Sequence, residues 1–370
     1  MISAGEASGE LYGAMLSREV KKLWPDVQIF GIGGPQMESE GVDLIARISG
    51  VIGFTEAVRH LGEIRRIFKK AKEALINKRP DILILIDYPD FNIALAKKAK
   101  AAKIPILYYV SPQVWAWRSG RVKKLASLVN KVAVIFPFEV ECYKGSGLQC
   151  EFVGHPIAET INITGTKEEL KRDLGIDPHK PVISLLPGSR PVELKRHLSL
   201  IREVAAKIHE ELPGFQIVFP LAKGSELNEE LMDYITVFKN RTKESIACSE
   251  VIAVASGTVT LEAALLGAPM VVFYKLSPVT FFLVKLLVKN RFAALVNLLS
   301  GKEIVVELLQ KDANPARIFS ELKRILKDRT YRNNMISNLN RIGETLKDKR
   351  PSVRVASMIG EIAGWNNASL

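Results

Sequence analysis

The chain has 370 residues, of which 47% are apolar and 25% are charged, with a net charge of +12. This balance is ordinary for a globular protein and excludes a disordered chain, a collagen and a long coiled coil. The length predicts two domains, since a domain holds roughly 100–200 residues. Three cysteines without metal-ligand spacing favour a reducing compartment. With no leader-like start and no long apolar run, we expect a cytoplasmic protein that attaches at most to a membrane surface.

The positive charge is concentrated in two stretches of the chain. Residues 59–79 hold eight Lys or Arg against two Glu, and residues 91–138 hold nine basic residues and no acidic one. Such patches attract phosphates, acidic lipids or nucleic acid. The alternative for each is an ordinary solvated helix face.

Short apolar runs at wide spacing predict β-strands, and the segments between them show helical periodicity. Strands that are apolar throughout and alternate with helices are typical of a parallel sheet covered on both faces. The predicted strands are 27–31, 82–86, 106–110, 132–136, 182–186, 215–219, 251–254 and 270–274. We therefore predict a doubly wound α/β fold.

The strand pattern runs twice along the chain, with a polar junction after Gly154-His155-Pro156. We predict one Rossmann-like domain over residues 1–160, a second over residues 161–350, and a tail over residues 351–370. The tail is amphipathic, and we expect its helix to pack back on the first domain. The simplest arrangement has the two domains facing each other across a cleft.

Two glycine-rich turns follow strands of the first domain. On the first, Glu6 is a candidate for contacting substrate hydroxyls, and capping of the next helix by Glu6 or Ser8 is an equal alternative. Only four residues precede this turn, so we expect either an unusually short first strand or a start upstream of Met1. The second turn, 31–35, is a weak ligand signal because it lacks the complete dinucleotide fingerprint.

Residues 54–72 combine an apolar stripe with flanking basic residues. Phe54, Leu61 and Phe68 recur at helical spacing, which predicts an amphipathic helix or helical hairpin. We expect this element to face lipid, since the local basic charge attracts anionic headgroups. A helix packed on the core is the alternative.

Two further loops of the first domain follow predicted strands and carry polar or aromatic side chains. Asp87 stands at the carboxyl end of a strand, where ligands bind in such sheets, and suits a general base. We assign the capping of the next helix to Asp90. In the second loop, Trp115, Trp117 and Arg118 suit stacking on a sugar or lipid and binding of a phosphate.

The second domain holds two candidate phosphate loops. Gly188, Ser189 and Arg190 close its first strand, with an arginine suited to a bidentate bond to a diphosphate. In the other loop, Ser256, Gly257 and Thr258 open a helix, and Glu262 one turn later suits two ribose hydroxyls. The alternative is a capping box formed by Thr258 and Glu262.

Seven segments in chain order resemble the lipid-A-disaccharide synthase family. They are AGEASGE, IDYPDFN, SPQVWAWR, FVGHP, LLPGSR, SGTVTLEAAL and PMVVFYK. The resemblance implies an inverting glycosyltransferase of the GT-B type that joins UDP-2,3-diacylglucosamine to 2,3-diacylglucosamine 1-phosphate (lipid X). The products are the β-1,6-linked lipid A disaccharide 1-phosphate and UDP. The resemblance also implies no metal and no cofactor, a homodimer with exchanged C-terminal segments, and the cytoplasmic face of a Gram-negative inner membrane.

The resemblance carries over to single residues. Asp87 matches an essential aspartate and Arg190 an essential arginine, while Asn297 matches an asparagine in a segment that is usually Pro-Asn-Leu-Leu. We expect Asn297 to bind the UDP-sugar. Val296 replaces the proline, and Glu10 stands where the family usually has Asp. His155 is a rival base that we rank below Asp87, with Glu6 as a further substitute.

Two other readings remain open on the residues alone. A nucleotide-sugar epimerase, or another UDP-sugar transferase of the same fold, would use the same nucleotide loops. A nucleic-acid-binding protein would use the basic stretches, but they carry no RNA-binding fingerprint and the phosphate loops would be unexplained.

Overall fold

The computed structural model describes residues 1–47, 61–112, 120–222, 225–227, 231–277, 292–347 and 349–365. The chain divides into two compact units. One consists of Met1–Pro156 together with Lys349–Leu370, and the other of Ile157–Asp348.

The first unit is a parallel sheet with helices between its strands. Its strands are β1 (Ile2–Ala4), β2 (Phe30–Gly33), β3 (Asp43–Arg47), β4 (Leu83–Ile86), β5 (Ile106–Tyr109), β6 (Lys131–Val134) and β7 (Gln149–Phe152). Its helices before the unit boundary are α1 (Ala7–Leu23), α2 (Pro35–Ser39), α3 (Leu61–Lys78), α4 (Pro89–Ala101), α5 (Gly120–Ala126) and α6 (Glu139–Tyr143).

The first sheet has the strand order β3-β2-β1-β4-β5-β6-β7. Although β1 has three residues, it lies in the middle of the sheet and pairs in parallel with both β2 and β4. Strands β4 and β5 are buried over their whole length, because helices cover both faces of the sheet. Gly31 lets β2 approach β1 closely, since a Cβ there would lie 1.9 Å from the carbonyl oxygen of Ile2.

The second unit repeats the architecture with a second parallel sheet. Its strands are β8 (Val182–Leu186), β9 (Gln216–Leu221), β10 (Ile235–Lys239), β11 (Val251–Ala255), β12 (Met270–Tyr274) and β13 (Glu307–Leu309). Its helices are α7 (Lys167–Asp173), α8 (Pro191–Glu211), α9 (Thr242–Cys248), α10 (Val259–Leu265), α11 (Leu295–Ser300), α12 (Pro315–Lys327) and α13 (Arg329–Lys347).

The second sheet has the order β10-β9-β8-β11-β12-β13, and all its neighbouring strands run parallel. The prediction of two doubly wound α/β domains is therefore confirmed. In both sheets the order reverses direction beside the first strand of the unit. This is the place where loops in such folds diverge and ligands bind.

The last helix, α14 (Pro351–Ala363), returns to the first unit and packs on α1. The ring of Trp365 meets that of Trp24 edge to face, with their centroids 5.1 Å apart. A cluster of charges fastens the same helix to the edge of the sheet. Arg354 donates to Glu151 at 2.8 Å, and Lys131 lies 3.1 Å from Glu151 and 3.2 Å from Glu361.

Among the helices of the described residues, none is both long and apolar enough to cross a bilayer.

The charge cluster on α14 makes stability depend on pH. Hydrogen bonding from Arg354, followed by the bond and charge of Lys131, lowers the pKa of Glu151 from 4.5 to about 2. Ionised Glu151 therefore stabilises the folded chain above pH 4.5, and this stabilisation is lost as the pH falls toward 2. We expect Arg354→Gln to cost about 1 kcal/mol at pH 7, because the group is partly exposed.

Urea unfolding of wild type and variant between pH 7 and pH 3 measures this difference, which should shrink at acid pH. Lys144→Gln is the control, since it breaks a well-exposed pair with Glu141 in the same unit and should change stability little. A difference that stays constant over this pH range would contradict the assignment.

Candidate active site

Of the five left-handed non-glycine residues in the described part of the first unit, three lie at the carboxyl ends of β4 and β5. Asp87 and Tyr88 follow β4 with φ of +49° and +46°, and Val110 follows β5 with φ of +58°. A left-handed conformation costs a residue with a Cβ roughly 1–2 kcal/mol. Such strain persists only where surrounding contacts enforce it, and it gathers at functional sites. These strand ends are therefore the candidate site of the first unit.

Asp87 is half-buried, and its main chain is held by its neighbours. Its carbonyl oxygen accepts a hydrogen bond from Asn92 Nδ2 at 2.8 Å and another from the Tyr108 hydroxyl at 2.7 Å. Its N–H donates to the carbonyl of Tyr109 at 3.2 Å. The carboxylate that the sequence singles out therefore starts from a fixed backbone.

The first glycine-rich turn lies against the same loop. A Cβ on Gly5 would come within 2.3 Å of the Tyr88 ring, so only glycine fits beneath that ring. Glu6 is exposed and begins α1 without a side-chain capping bond. Burial, followed by the charges of Glu6 and Asp90, raises the pKa of Tyr88. The structure thus brings Glu6 close to Tyr88, the neighbour of Asp87.

The second glycine-rich turn is filled by the chain's own carboxylate. The Gln36 N–H donates to Glu10 Oε1 at 2.7 Å, and a Cβ on Gly34 would lie 2.5 Å from the same carboxylate. The glycines of this turn therefore serve packing, which accounts for its incomplete fingerprint.

Asp90 does not cap the helix as expected. Helix α4 begins at Pro89 with Tyr88 at the N-cap position, and Asp90 lies inside the first turn. Its charge there still favours the positive end of the helix.

His155 is buried near aromatic rings rather than displayed at a surface. Its ring centroid lies 5.3 Å from that of Phe136 and 6.1 Å from that of Tyr12. Burial lowers the pKa of His155 to about 3, so the imidazole is neutral at physiological pH. This environment supports the lower rank of His155 as a base.

Several predicted lipid or acceptor contacts lie outside the described residues, namely Phe54, Trp115, Trp117, Arg118 and the side chain of Leu61. Phe68 is described, and its ring meets that of Phe91 edge to face at 5.4 Å within the core of the first unit. On the described part of α3 the apolar stripe therefore faces the core, which corrects the expectation of a lipid-facing Phe68. The exposed face of this helix is basic, with Arg65, Arg66, Lys69, Lys70 and Lys72.

In the second unit, the loop after β8 is also closed by an internal carboxylate. Glu193 Oε2 accepts from the N–H groups of Ser189 and Arg190 at 3.1 and 3.3 Å. A Cβ on Gly188, whose φ is +117°, would lie 2.5 Å from that oxygen. The main-chain N–H groups of this candidate phosphate loop thus bind Glu193. The Arg190 side chain is 67% exposed, with Nη1 3.8 Å from Glu193, and it is the cation this loop offers.

His197 and Tyr274 stabilise the same loop, and neither role is predicted from the sequence. His197 Nδ1 donates to the Pro187 carbonyl at 2.6 Å, and its Nε2 accepts from the Lys275 N–H at 3.1 Å. This pattern requires a neutral imidazole, and burial lowers the pKa of His197 accordingly. The Tyr274 hydroxyl donates to Glu193 at 2.8 Å. The sequence feature that could have indicated this role of His197 is its position one helical turn after Glu193.

The loop after β11 is more open. A Cβ on Gly257 would meet nothing within 4 Å, and Thr258 is exposed and makes no side-chain capping bond. The capping-box alternative for Thr258 and Glu262 is therefore not what the structure contains. Ser256 donates through its hydroxyl to the Ala293 carbonyl at 2.9 Å. Burial raises the pKa of Glu262, and the charge of Lys243 partly opposes this.

Asn297 is buried and uses both ends of its side chain within the protein. Its Nδ2 donates to the Val305 carbonyl at 2.8 Å and to Glu307 at 2.7 Å, and its Oδ1 accepts from Ile304 and Val305 at 2.8 and 3.0 Å. Because these bonds use its donors and its oxygen, the structure gives Asn297 a bracing role in place of the expected direct contact with a nucleotide.

Comparison with solved structures shows the fold. A UDP-bound S. aureus MnaA structure superposes with a TM-score of 0.67 over 99% of this chain and 97% of that one, at 12% identity. The calicheamicin glycosyltransferase CalG4 gives a TM-score of 0.64 over 98% and 97%, at 13% identity. These similarities establish the two-Rossmann-domain architecture called GT-B.

Comparison of sequences is more specific. The chain is 41% identical to the lipid-A-disaccharide synthase of Geobacter sulfurreducens, over 98% of this chain and 97% of that protein. It is 42% identical to that of Trichlorobacter lovleyi, over 97% of each. The profile described as lipid-A-disaccharide synthetase matches residues 1–356. With these similarities across nearly its whole length, the chain belongs to the lipid-A-disaccharide synthase family of glycosyltransferases.

Proposed function

We propose that this chain transfers 2,3-diacylglucosamine from UDP to 2,3-diacylglucosamine 1-phosphate, releasing UDP and forming the β-1,6-linked disaccharide 1-phosphate of lipid A. Membership of the family supports the reaction. The observation in the structure that carries our assignment of the chemistry is the rigid, left-handed Asp87 at the carboxyl end of β4.

In the proposed mechanism, Asp87 is the general base. The 6-hydroxyl oxygen of the acceptor attacks the anomeric carbon of the donor on the face opposite UDP, which inverts that centre. Its proton passes to the Asp87 carboxylate while the bond between the anomeric carbon and the phosphate oxygen breaks. A base held within hydrogen-bond reach of the hydroxyl contributes typically 10²–10⁴-fold to such a step. Glu6, near the same loop, is proposed to contact substrate hydroxyls.

Negative charge then develops on the departing diphosphate. Arg190 supplies a guanidinium that binds two phosphate oxygens at once. It is proposed to stabilise the leaving group by charge, aided by the Ser189 hydroxyl, while Gly188 supplies the φ of +117° that the loop requires. The N–H groups of Ser189 and Arg190 bind Glu193 and are not available to the diphosphate. The proposed stabilisation of the leaving group therefore depends on the charge of Arg190.

The loop after β11 is the proposed nucleotide contact. Gly257 leaves space for close approach of a ligand, and Thr258 offers its hydroxyl to the diphosphate. Ser256 is proposed to join this contact by turning its hydroxyl from the Ala293 carbonyl to a phosphate oxygen. Glu262 is proposed to accept hydrogen bonds from the two ribose hydroxyls. Glu262 is half-buried, so water competes less for its carboxylate than for a fully exposed one.

An epimerase remains the second candidate, because the Listeria monocytogenes structure titled as a putative UDP-N-acetylglucosamine 2-epimerase gives a TM-score of 0.66 at 13% identity. That similarity is of fold alone. Mass analysis of the product from a UDP-diacylglucosamine donor, with and without the acceptor, separates the two. A transferase forms a disaccharide only when both are present.

Two substitutions separate the proposed roles of Asp87 and Arg190. We expect Asp87→Asn to lower the transfer rate by about 10²–10⁴-fold with UDP affinity almost unchanged, because the amide cannot accept the proton. We expect Arg190→Ala to lose a hundredfold or more in turnover, since a charged contact to the transition state contributes about 3 kcal/mol.

Steady-state turnover and UDP titration calorimetry measure both effects. Circular dichroism should show that each variant stays folded. Near-normal turnover in Arg190→Ala would remove its assigned role. Greatly weakened UDP binding by Asp87→Asn would move Asp87 to the donor site and the base role to Glu6 or His155.

Glu262→Gln should change stability and affinity in opposite directions. Since burial raises the pKa of Glu262, its ionisation destabilises the folded protein as pH rises above the carboxyl's ordinary 4.5. The neutral variant should therefore be more stable at pH 7. Its UDP affinity should fall about tenfold or more, because hydrogen bonds to a charged group contribute about 1.5–3 kcal/mol.

Thermal denaturation without ligand and calorimetry with UDP and 2′-deoxy-UDP test this pair of effects. Wild type should prefer UDP over 2′-deoxy-UDP, and the variant should lose much of that preference. A variant that retains the preference would show that Glu262 does not bind the ribose.

We propose that the protein acts as a homodimer on the cytoplasmic face of the inner membrane, where its acylated substrates reside. The exposed basic face of α3 supports attachment, at about 1 kcal/mol per cation near an anionic surface. Changing Arg65, Arg66, Lys69, Lys70 and Lys72 to Gln should abolish co-sedimentation with anionic vesicles without lowering the melting temperature.

The matched control changes five exposed lysines elsewhere in the same unit to Gln, namely Lys97, Lys98, Lys100, Lys103 and Lys124. Equal loss of vesicle binding in both sets would mean that overall charge, not this face, drives attachment.

Sedimentation equilibrium without vesicles measures the oligomeric state, and a monomer would contradict the proposed dimer.

A further inference from the structure

We propose that Asn92 and Tyr108 are positioning residues for Asp87. They hold its main-chain carbonyl in one direction, and so set where its carboxylate lies. The inference rests on the proposed role of Asp87 as the base, and it adds two residues through which that role depends on the core of the first unit.

The two donors reach the same oxygen from different elements. Asn92 lies one turn into α4, and Tyr108 lies on the neighbouring strand β5. Their donor atoms are 2.8 and 2.7 Å from the Asp87 carbonyl oxygen, and both side chains are completely buried. Two bonds from separate directions occupy both lone pairs of the carbonyl, which fixes the peptide plane after Asp87.

Asn92 is itself fixed by the centre of the sheet. Its Oδ1 accepts from the hydroxyl of Ser3 at 2.7 Å, and its Nδ2 also lies 3.2 Å from the Ile86 carbonyl. Ser3 belongs to β1, which pairs directly with β4. The amide therefore ties the turn after β4 to the strand beside it.

These bonds oppose the strain in the turn. Asp87 and Tyr88 are both left-handed, which costs roughly 1–2 kcal/mol for each residue. Without the two donors, the turn would relax toward right-handed or extended angles and carry the carboxylate with it. Displacement of a reacting group by about 1 Å can cost about 10²-fold in rate.

Tyr108→Phe removes one donor without changing shape, and Tyr109→Phe is its matched control. Both tyrosines are fully buried on β5, but adjacent side chains of a strand point to opposite faces. We expect Tyr108→Phe to lower kcat about tenfold with KM little changed. We expect Tyr109→Phe to stay within about twofold of wild type, although both can lower the melting temperature. Equal loss of kcat in the two variants would overturn the proposal.

Repeating the substitution in an Asp87→Asn background separates positioning from general structural damage. If Tyr108 acts through the carboxylate, Tyr108→Phe should leave the residual rate of Asp87→Asn unchanged while still lowering its melting temperature. A further tenfold loss would show that Tyr108 acts independently of Asp87. Asn92→Ala should behave in the same way with a larger loss of kcat, and if it does not fold, the Tyr108 cycle decides alone. The proposed base role fails separately, if Asp87→Asn by itself retains wild-type turnover.

Discussion

The burial of two parallel sheets on both faces is the constraint on which the rest of the structure depends. Parallel strands need crossover helices, and these helices cover the sheet and remove the strands from water. The carboxyl ends of all strands within one sheet then lie at the same end of that sheet, so loops that are distant in sequence become neighbours. Asp87 after β4, Val110 after β5 and the turn after β1 gather for this reason, although more than a hundred residues separate the first turn from Val110.

In both units, a carboxylate of the chain itself occupies a glycine-containing loop that resembles an anion-binding site. Glu10 fills the glycine-rich turn after β2, and Glu193 fills the loop after β8. In each case main-chain N–H groups that resemble an anion site are satisfied by the chain itself. The ligand-binding role proposed for the loop after β8 therefore depends on its exposed Arg190 side chain and not on its N–H groups. The local pattern of glycines does not distinguish these two outcomes.

Buried polar side chains brace the loops instead of meeting ligands. Asn92, His197 and Asn297 are each completely buried, and each joins main-chain groups of separate segments. A buried polar group is costly unless its hydrogen bonds are made, so each of these residues permits few alternative arrangements of its loop. The neutral state of His197 follows from the same requirement, because protonation would remove its acceptor for Lys275.

The sequence by itself determined the fold class, the family and the interior strands. Strands buried on both faces, such as β4, β5 and β12, carry continuous apolar runs that no helix of a surface layer would have. The edge strands β3, β10 and β13 are not predicted, because one side of each is exposed and their residues are mixed. The motifs also identified Asp87 and Arg190 as candidate site residues, since the sequence shows where a buried strand ends and which residues follow it.

Only the tertiary structure decided which candidate residues are fixed by hydrogen bonds, which candidate loops are occupied by an internal carboxylate, and which side chains are buried. The left-handed turn at Asp87 depends on Tyr108, which lies 21 positions away in sequence, and no local pattern predicts that bond. The packing of Phe68 against Phe91 and the internal bonds of Asn297 likewise depend on partners from other segments. Residue type and spacing determine what chemistry a side chain can do. Whether a side chain is available for that chemistry depends on contacts that form only when distant parts of the chain pack together.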